Sequence, residues 1–252
     1  MTVVKDDAMS FLVKSPDETV QLTVTSPPYN VGIDYADHDD SIDFKTYEAI
    51  MLVIFEQLHR VTKKGGFVAV NISATNRLNL PAHAAVWLER VGFNYYRKIN
   101  WEKPQGSSAL PHLYDKPFPT WYDPFMVTED ILVYSKGDLR SWANRGPEKE
   151  PIDRRWLERY ATNIWKMNPE TDKNGHPCPF PVKLPMNLIR FLSYQGDTVL
   201  DPFAGSGTTG VAAKRLGRNF IGCDMSQEYV DIANARIDAE PIDLFRKEEI
   251  YG

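Results

Sequence analysis

Seven short runs rich in β-branched or aromatic residues alternate with stretches of helical spacing, and this alternation restricts the fold more than any other feature. The runs are "TVV" (2–4), "VQLTV" (20–24), "FVAV" (67–70), "NYYRKINW" (94–101), "DILVY" (130–134), "TVLD" (198–201) and "FIGCD" (220–224). Each has the composition of a strand. Between them, "FKTYEAIMLVIFEQLHRV" (44–61) carries apolar residues three and four apart and is expected to stop before a turn at "KKGG". "NLPAHAAVWLERVG" (79–92) ends at a glycine. "TTGVAAKRLGR" (208–218) and "SQEYVDIANARIDA" (226–239) are further helices, the second with Ser226 as its expected cap. Strands alternating with helices predict an α/β fold with a mostly parallel sheet covered on both faces. A length of 252 residues fits one large domain, 1–252.

Two stretches interrupt the pattern. Residues 104–124 hold five prolines among many aromatics, and residues 136–181 carry little strand signal. Both are expected to be surface additions to the domain. The aromatic insert (Tyr114, Phe118, Trp121, Tyr122, Phe125) suits either a subunit interface or a DNA-facing cover.

Composition removes several classes. No apolar run approaches the ~20 residues of a membrane span, and "MTVVKDDAMSF" lacks the basic flank of a signal peptide. Cys178 and Cys223 stand far apart, as reduced thiols of a cytoplasmic protein would. The five histidines form no H-x-x-x-H pair, and no metal site is expected. A net charge of −5 argues against bulk nucleic-acid binding, but the charge is uneven. Between Lys136 and Lys166, eight Lys or Arg face five acids. Such a surplus suits a phosphate-contacting surface; it is also common on solvated loops.

The segment "TVLDPFAGSGTTGVAAKRLG" joins a strand to a helix through Gly205, Gly207 and Gly210, spaced G-x-G-x-x-G. Asp224 ends the following strand, nineteen positions after Gly205. Glycines plus a ribose-binding acid match the fingerprint of an adenosine-containing ligand, and the absence of Gly-Lys-Ser/Thr excludes a Walker loop. NAD and S-adenosylmethionine both carry that ribose. Asp201, at the strand's carboxyl edge, favours the second, because a carboxylate suits the ammonium of a methionyl group and repels a pyrophosphate.

The other notable stretch is "VTSPPYN" (24–30). Proline cannot donate to a sheet ladder, so the strand should end here. Two prolines are ordinary punctuation in a loop. Together with "DPFAGSGTT", however, "TSPPYN" gives the chain a close likeness to a known family. The sequence resembles the DNA amino-methyltransferases, which transfer a methyl group from S-adenosylmethionine to the exocyclic amine of cytosine or adenine. The Pro-Pro-Tyr segment precedes the glycine loop, as in the family's β group, and "GGFVAVNIS" (65–73), "NWEKP" (100–104) and "EDILVYSK" (129–136) resemble later sheet motifs.

The resemblance implies a Rossmann-like fold with a seven-stranded sheet in circularly rearranged motif order. It implies that Asp7, in "VVKDDA", holds the adenine amine, and that Asp201, Phe203, Gly205, Gly207, Thr208 and Thr209 surround the cofactor. Asp224 would bind the ribose, where relatives more often have glutamate. Phe180 and Pro181, in "HPCPFPVKLPMNLI" (176–189), would help close over the cofactor. The variable region that reads DNA falls at 137–175, which makes Arg140, Arg145, Arg154, Arg155 and Arg159 candidates for DNA contact.

The target base must leave the duplex to react. The Ser26 hydroxyl and the Pro27 carbonyl would then accept the two amine hydrogens and aim the nitrogen lone pair at the methyl group. Pro27 and Pro28 stiffen that platform, and Tyr29 offers a face for the base to stack on. Serine before Pro-Pro-Tyr is associated in the family mainly with cytosine N4, with adenine N6 as the alternative product. An RNA or protein-amide methyltransferase and an NAD-binding protein are more distant readings. The expected partner is double-stranded DNA, with a second copy of the chain and a cognate restriction endonuclease as further candidates, in a bacterial or archaeal cytoplasm.

Overall fold

Every β-branched run becomes a strand, and every periodic stretch becomes a helix. The computed structural model describes residues 1–30, 42–75, 78–104, 126–139, 154–170 and 180–241, with the backbone of two short strands between 34 and 39. In chain order the elements are β1 (Thr2–Lys5), α1 (Ala8–Lys14), β2 (Val20–Thr25), β3 (Asp34–Tyr35), β4 (His38–Asp39), α2 (Phe44–Val61), β5 (Thr62–Ile72), α3 (Leu80–Arg90), β6 (Asn94–Glu102), β7 (Thr128–Ser135), α4 (Arg154–Tyr160), β8 (Ile164–Lys166), α5 (Lys183–Leu192), β9 (Thr198–Asp201), α6 (Thr208–Arg215), β10 (Asn219–Asp224) and α7 (Gln227–Ala239).

The main sheet runs β1-β10-β9-β2-β5-β7-β6-β8. Its first five strands pair in parallel. β7 is antiparallel to both neighbours, and β8 returns parallel to β6. The mostly parallel α/β expectation holds, with eight strands in place of seven. The additional strand, β8, lies in the segment expected to carry little strand signal. Only three residues long, it forms because β6 presents an open edge: Asn100 N donates to Asn163 O at 2.8 Å, and Trp101 Nε1 to Met167 O at 2.9 Å. "KKGG" is likewise not a turn. It lies within β5 as an irregularity in which the register jumps from Val20↔Thr62 to Leu22↔Phe67.

Helices cover both faces. On one, α4, α5, α6 and α7 close over Leu22, Val24, Phe67, Ala69, Ile131 and Val133. On the other, α1, α2 and α3 close over Val20, Val68, Val70, Ile72 and Leu132. Residues 154–167 are therefore a surface addition anchored in the core by four side chains. Trp156, Tyr160, Trp165 and Met167 are buried in the first core. Trp156 stacks on Phe191 of α5 (4.7 Å) and donates to Asn187 Oδ1 (2.9 Å). The strand before Ser26 is buried at all six positions and ends at Thr25, where Pro27 and Pro28 can supply no N–H.

Candidate active site

β9 and β2 are neighbours, but the chain leaves β9 towards β10 and leaves β2 towards β5 on the opposite side. Where connections diverge like this, a crevice opens at the carboxyl ends of the strands. The glycine loop follows β9, and the Pro-Pro-Tyr segment follows β2.

Left-handed glycines and close packing shape the loop. Gly205 and Gly207 have φ of +49° and +80°. A Cβ on Gly207 would stand 2.9 Å from Ala233 Cα of α7, and one on Gly210 would stand 2.8 Å from the Phe220 ring. α7 braces the loop from behind, where Arg236 donates to Ser206 O (2.6 Å) and Ser206 Oγ (2.9 Å). Asp224 reaches in from the end of β10. Its Oδ2 accepts from Gly205 N (2.9 Å) and its Oδ1 from Ser226 N (3.0 Å). Burial pushes its pKa up, against those two hydrogen bonds. Ser226 occupies the cap position of α7, but its side chain makes no capping bond.

Asp7 stands close by, because β1 pairs with β10 and Asp6 N donates to Asp224 O (3.1 Å). Asp7 caps α1 through Ser10 N, and its hydrogen bonds with Ser10 hold its carboxyl below the usual range. Phe203, Phe180 and Pro181 are half-buried, Phe180 against the first core and Phe203 against the second. Thr208 and Thr209 are buried in the first turn of α6.

Asp201 is enclosed. It is only 1% exposed and accepts from Thr25 Oγ1 (2.7 Å), Thr209 Oγ1 (2.7 Å) and Phe203 N (3.1 Å). Burial raises its pKa to about 6. Both of its oxygens are turned inward on these partners. The carboxylate ties β2, the loop and α6 into one unit behind the crevice.

Side chains from distant elements pin the Pro-Pro-Tyr segment. Tyr47 OH of α2 donates to the Pro28 carbonyl (2.8 Å). Asn30, at φ +54°, exchanges two hydrogen bonds with the Ile42 backbone (2.8 and 2.9 Å). Pro27 is buried, and among the described residues its carbonyl makes no hydrogen bond. Ser26 Oγ lies 3.2 Å from Tyr29 OH, which donates to Glu129 Oε2 of β7 (3.3 Å). Thr25 hydrogen-bonds Asp201, so the segment is joined directly to the glycine loop.

A family model described as DNA methylase matches residues 20–235. The chain belongs to the N4/N6 DNA amino-methyltransferase family. Among relatives it is 31% identical to the type II methyltransferase M2.DpnII of Streptococcus pneumoniae, over 95% of this chain and 90% of the relative. It is also 31% identical to type II methyltransferase M.MjaI of Methanocaldococcus jannaschii, over 88% and 86%. Its fold matches that of the Thermus thermophilus protein TTHA0409, solved with S-adenosyl-L-methionine bound, with a TM-score of 0.74, 26% identity and coverage of 95% and 93%.

An amino-methyltransferase takes its methyl group from S-adenosylmethionine, and the donor set here fits that group. Two carboxylates, Asp224 and Asp7, stand at the ends of neighbouring strands and can accept the hydrogens that a ribose or an adenine amine carries. Among the described residues, no cluster of His, Cys, Asp and Glu could hold a metal, and no helix is long and apolar enough to cross a membrane.

The described part of the basic segment presents its arginines to solvent. α4 buries Trp156 and Tyr160 and leaves Arg154, Arg155 and Arg159 exposed. Arg154 also pairs with Glu158 one turn on (2.8 Å). Arg140, Arg145 and the aromatic insert 105–125 lie outside the described residues.

Sequence reasoning missed Glu129, Asn71, Lys103, Tyr47 and Arg236. One signal was available. Glu129 is in phase with Ile131 and Val133, which face the first core, and a carboxylate in a buried phase implies polar partners.

Proposed function

We propose that this DNA amino-methyltransferase methylates N4 of a cytosine flipped out of double-stranded DNA. Bound S-adenosylmethionine supplies the methyl group. The observation that carries the reading is the division of labour between adjacent carbonyls. Pro28's is occupied by Tyr47, while Pro27's makes no hydrogen bond among the described residues and stands next to the Ser26 hydroxyl. These two acceptors take the amine hydrogens, so that the nitrogen lone pair leaves the ring plane and the positive charge developing on it meets fixed oxygen dipoles. The prolines hold that arrangement from one turnover to the next. Tyr29 stacks on the base. Asp224 binds the ribose and Asp7 the adenine amine, with Phe180, Pro181 and Phe203 flanking the cofactor. The segment 137–175, α4 included, reads the DNA.

Serine at position 26 favours cytosine, with adenine N6 as the alternative. Digestion and mass analysis of enzyme-treated DNA is expected to yield N4-methylcytosine; N6-methyladenine alone overturns the cytosine assignment. Ser26→Ala is expected to lower the methylation rate by about 10²-fold or more, as loss of one preorganised partner does, with unchanged S-adenosylmethionine affinity. A fully active Ser26→Ala variant removes Ser26 from the chemistry.

A further inference from the structure

Behind Ser26 and Tyr29 lies a polar cluster that the proposed chemistry does not use. Glu129, whose side chain is 13% exposed, is its centre. Its Oε2 accepts from Tyr29 OH (3.3 Å) and from Asn71 Nδ2. Its Oε1 pairs with Lys103 Nζ. Asn71 Nδ2 also approaches Tyr29 OH (3.4 Å), and Tyr29 OH lies 3.2 Å from Ser26 Oγ. Three strands meet here: β5 brings Asn71, β7 brings Glu129, and the residue after β6 brings Lys103. The neighbouring ion pairs Lys98–Asp130 and Lys166–Glu102 stand apart from it and run to exposed lysines.

The Ser26–Tyr29 contact has no intrinsic direction, because either hydroxyl can donate. The direction decides what Ser26 offers a substrate. A serine whose proton is engaged elsewhere presents only lone pairs, whereas one that accepts from tyrosine must point its own proton outward. An ionised carboxylate accepts and never donates, and Lys103 and Asn71 Nδ2 only donate.

We infer that Glu129 is a positioning residue that fixes the polarity of this hydroxyl chain, and so makes Ser26 an acceptor for an exocyclic amine. Glu129 takes the Tyr29 proton at 3.3 Å, as the nearer and charged alternative to the Asn71 backbone carbonyl at 3.5 Å. The Tyr29 oxygen takes the Ser26 proton. Both lone pairs of Ser26 are then free for the base. The inference rests on the proposed role of Ser26.

The test separates polarity from shape. Glu129→Gln keeps the shape of the side chain but adds an NH2 that can donate to Tyr29 and reverse the chain. Glu129→Asp keeps an acceptor-only group, one methylene shorter. Single-turnover methylation is expected to be slower in Gln than in Asp by about 10-fold, with unchanged S-adenosylmethionine affinity in both; a side chain that only packs gives the opposite order. In the Tyr29→Phe background the gap between Gln and Asp is expected to vanish, and a gap that persists overturns the inference.

A second readout needs no turnover. Duplexes carrying the mapped target site are bound with S-adenosylhomocysteine present, with the target base either amine-bearing or deaminated to its carbonyl counterpart. Wild type is expected to prefer the amine, and Glu129→Gln to lose or reverse that preference; an unchanged preference overturns the inference. If Ser26→Ala is inactive while Gln equals or exceeds Asp, the polarity argument alone fails. If Ser26→Ala is fully active, the reading beneath it fails.

Discussion

In the glycine loop, the backbone is the constraint. Gly205 and Gly207 take left-handed φ, a side chain on Gly207 would enter α7, and Asp224 is oriented by two backbone N–H groups from its own surroundings. In the Ser26–Asn30 segment, one strand away, side chains are the constraint. Tyr47 arrives from α2, Glu129 from β7 and Asn71 from β5. The loop is fixed by shape, with no room for a side chain at Gly207 or Gly210. The segment is held by directed hydrogen bonds and depends on groups that are distant in sequence. Asp201 belongs to both, since it accepts from Thr25 on one side and from Phe203 N and Thr209 on the other.

The sharpest way to break the contrast is Gly207→Ala. A left-handed alanine costs about 1–2 kcal/mol, and forcing a methyl against Ala233 costs about 1–3 kcal/mol more. Urea unfolding is expected to show a loss of about 3 kcal/mol together with loss of cofactor binding. A midpoint close to wild type would mean that α7 yields easily and that shape does not govern the loop.

Asp201 tests the joint between the two regions. Its folded pKa of about 6 lies above its unfolded value of 3.8. The native state therefore holds the extra proton between those values, and stability is expected to fall as pH rises from about 4 to about 6, by up to about 3 kcal/mol, and then level off. Asp201→Asn is expected to flatten that slope in denaturation curves taken across pH 4–7. A slope unchanged in the variant assigns the dependence to another group.

Asp224→Ala is expected to weaken S-adenosylmethionine binding by about 1–3 kcal/mol in calorimetry, with the methylated product unchanged in kind. Unaltered affinity would take Asp224 out of the ribose site. The smallest effect is expected on the flank. Arg154→Gln with Arg155→Gln should weaken DNA binding by about 1 kcal/mol and flatten its salt dependence, while cofactor affinity stays the same. A salt slope equal to wild type would assign the DNA contact to another face.

Local signals carried much of this molecule. The strand runs, the helix at 44–61 and the G-x-G-x-x-G loop were legible because each depends on a few consecutive residues: propensity, periodicity, or a φ that only glycine adopts freely. The end of β2 was legible for the same reason, since proline lacks an N–H. β8 was not, because three residues carry almost no propensity signal, and the strand exists only where β6 leaves an edge open. Nor was the burial of Trp156, which Phe191 and Asn187 of α5 receive.

The same division runs through the site. The sequence alone determined which residues stand at the strand ends: Ser26 to Tyr29 after β2, Asp201 and the glycines after β9, and Asp224 at the end of β10. Only the tertiary structure decided what those residues can do there. It enclosed Asp201 behind the crevice, occupied the Pro28 carbonyl while leaving Pro27's without a hydrogen bond among the described residues, and set Glu129 behind Tyr29. The physical reason is that backbone conformation is set by near neighbours, whereas burial and the direction of a hydrogen bond depend on groups that only folding brings within about 3 Å.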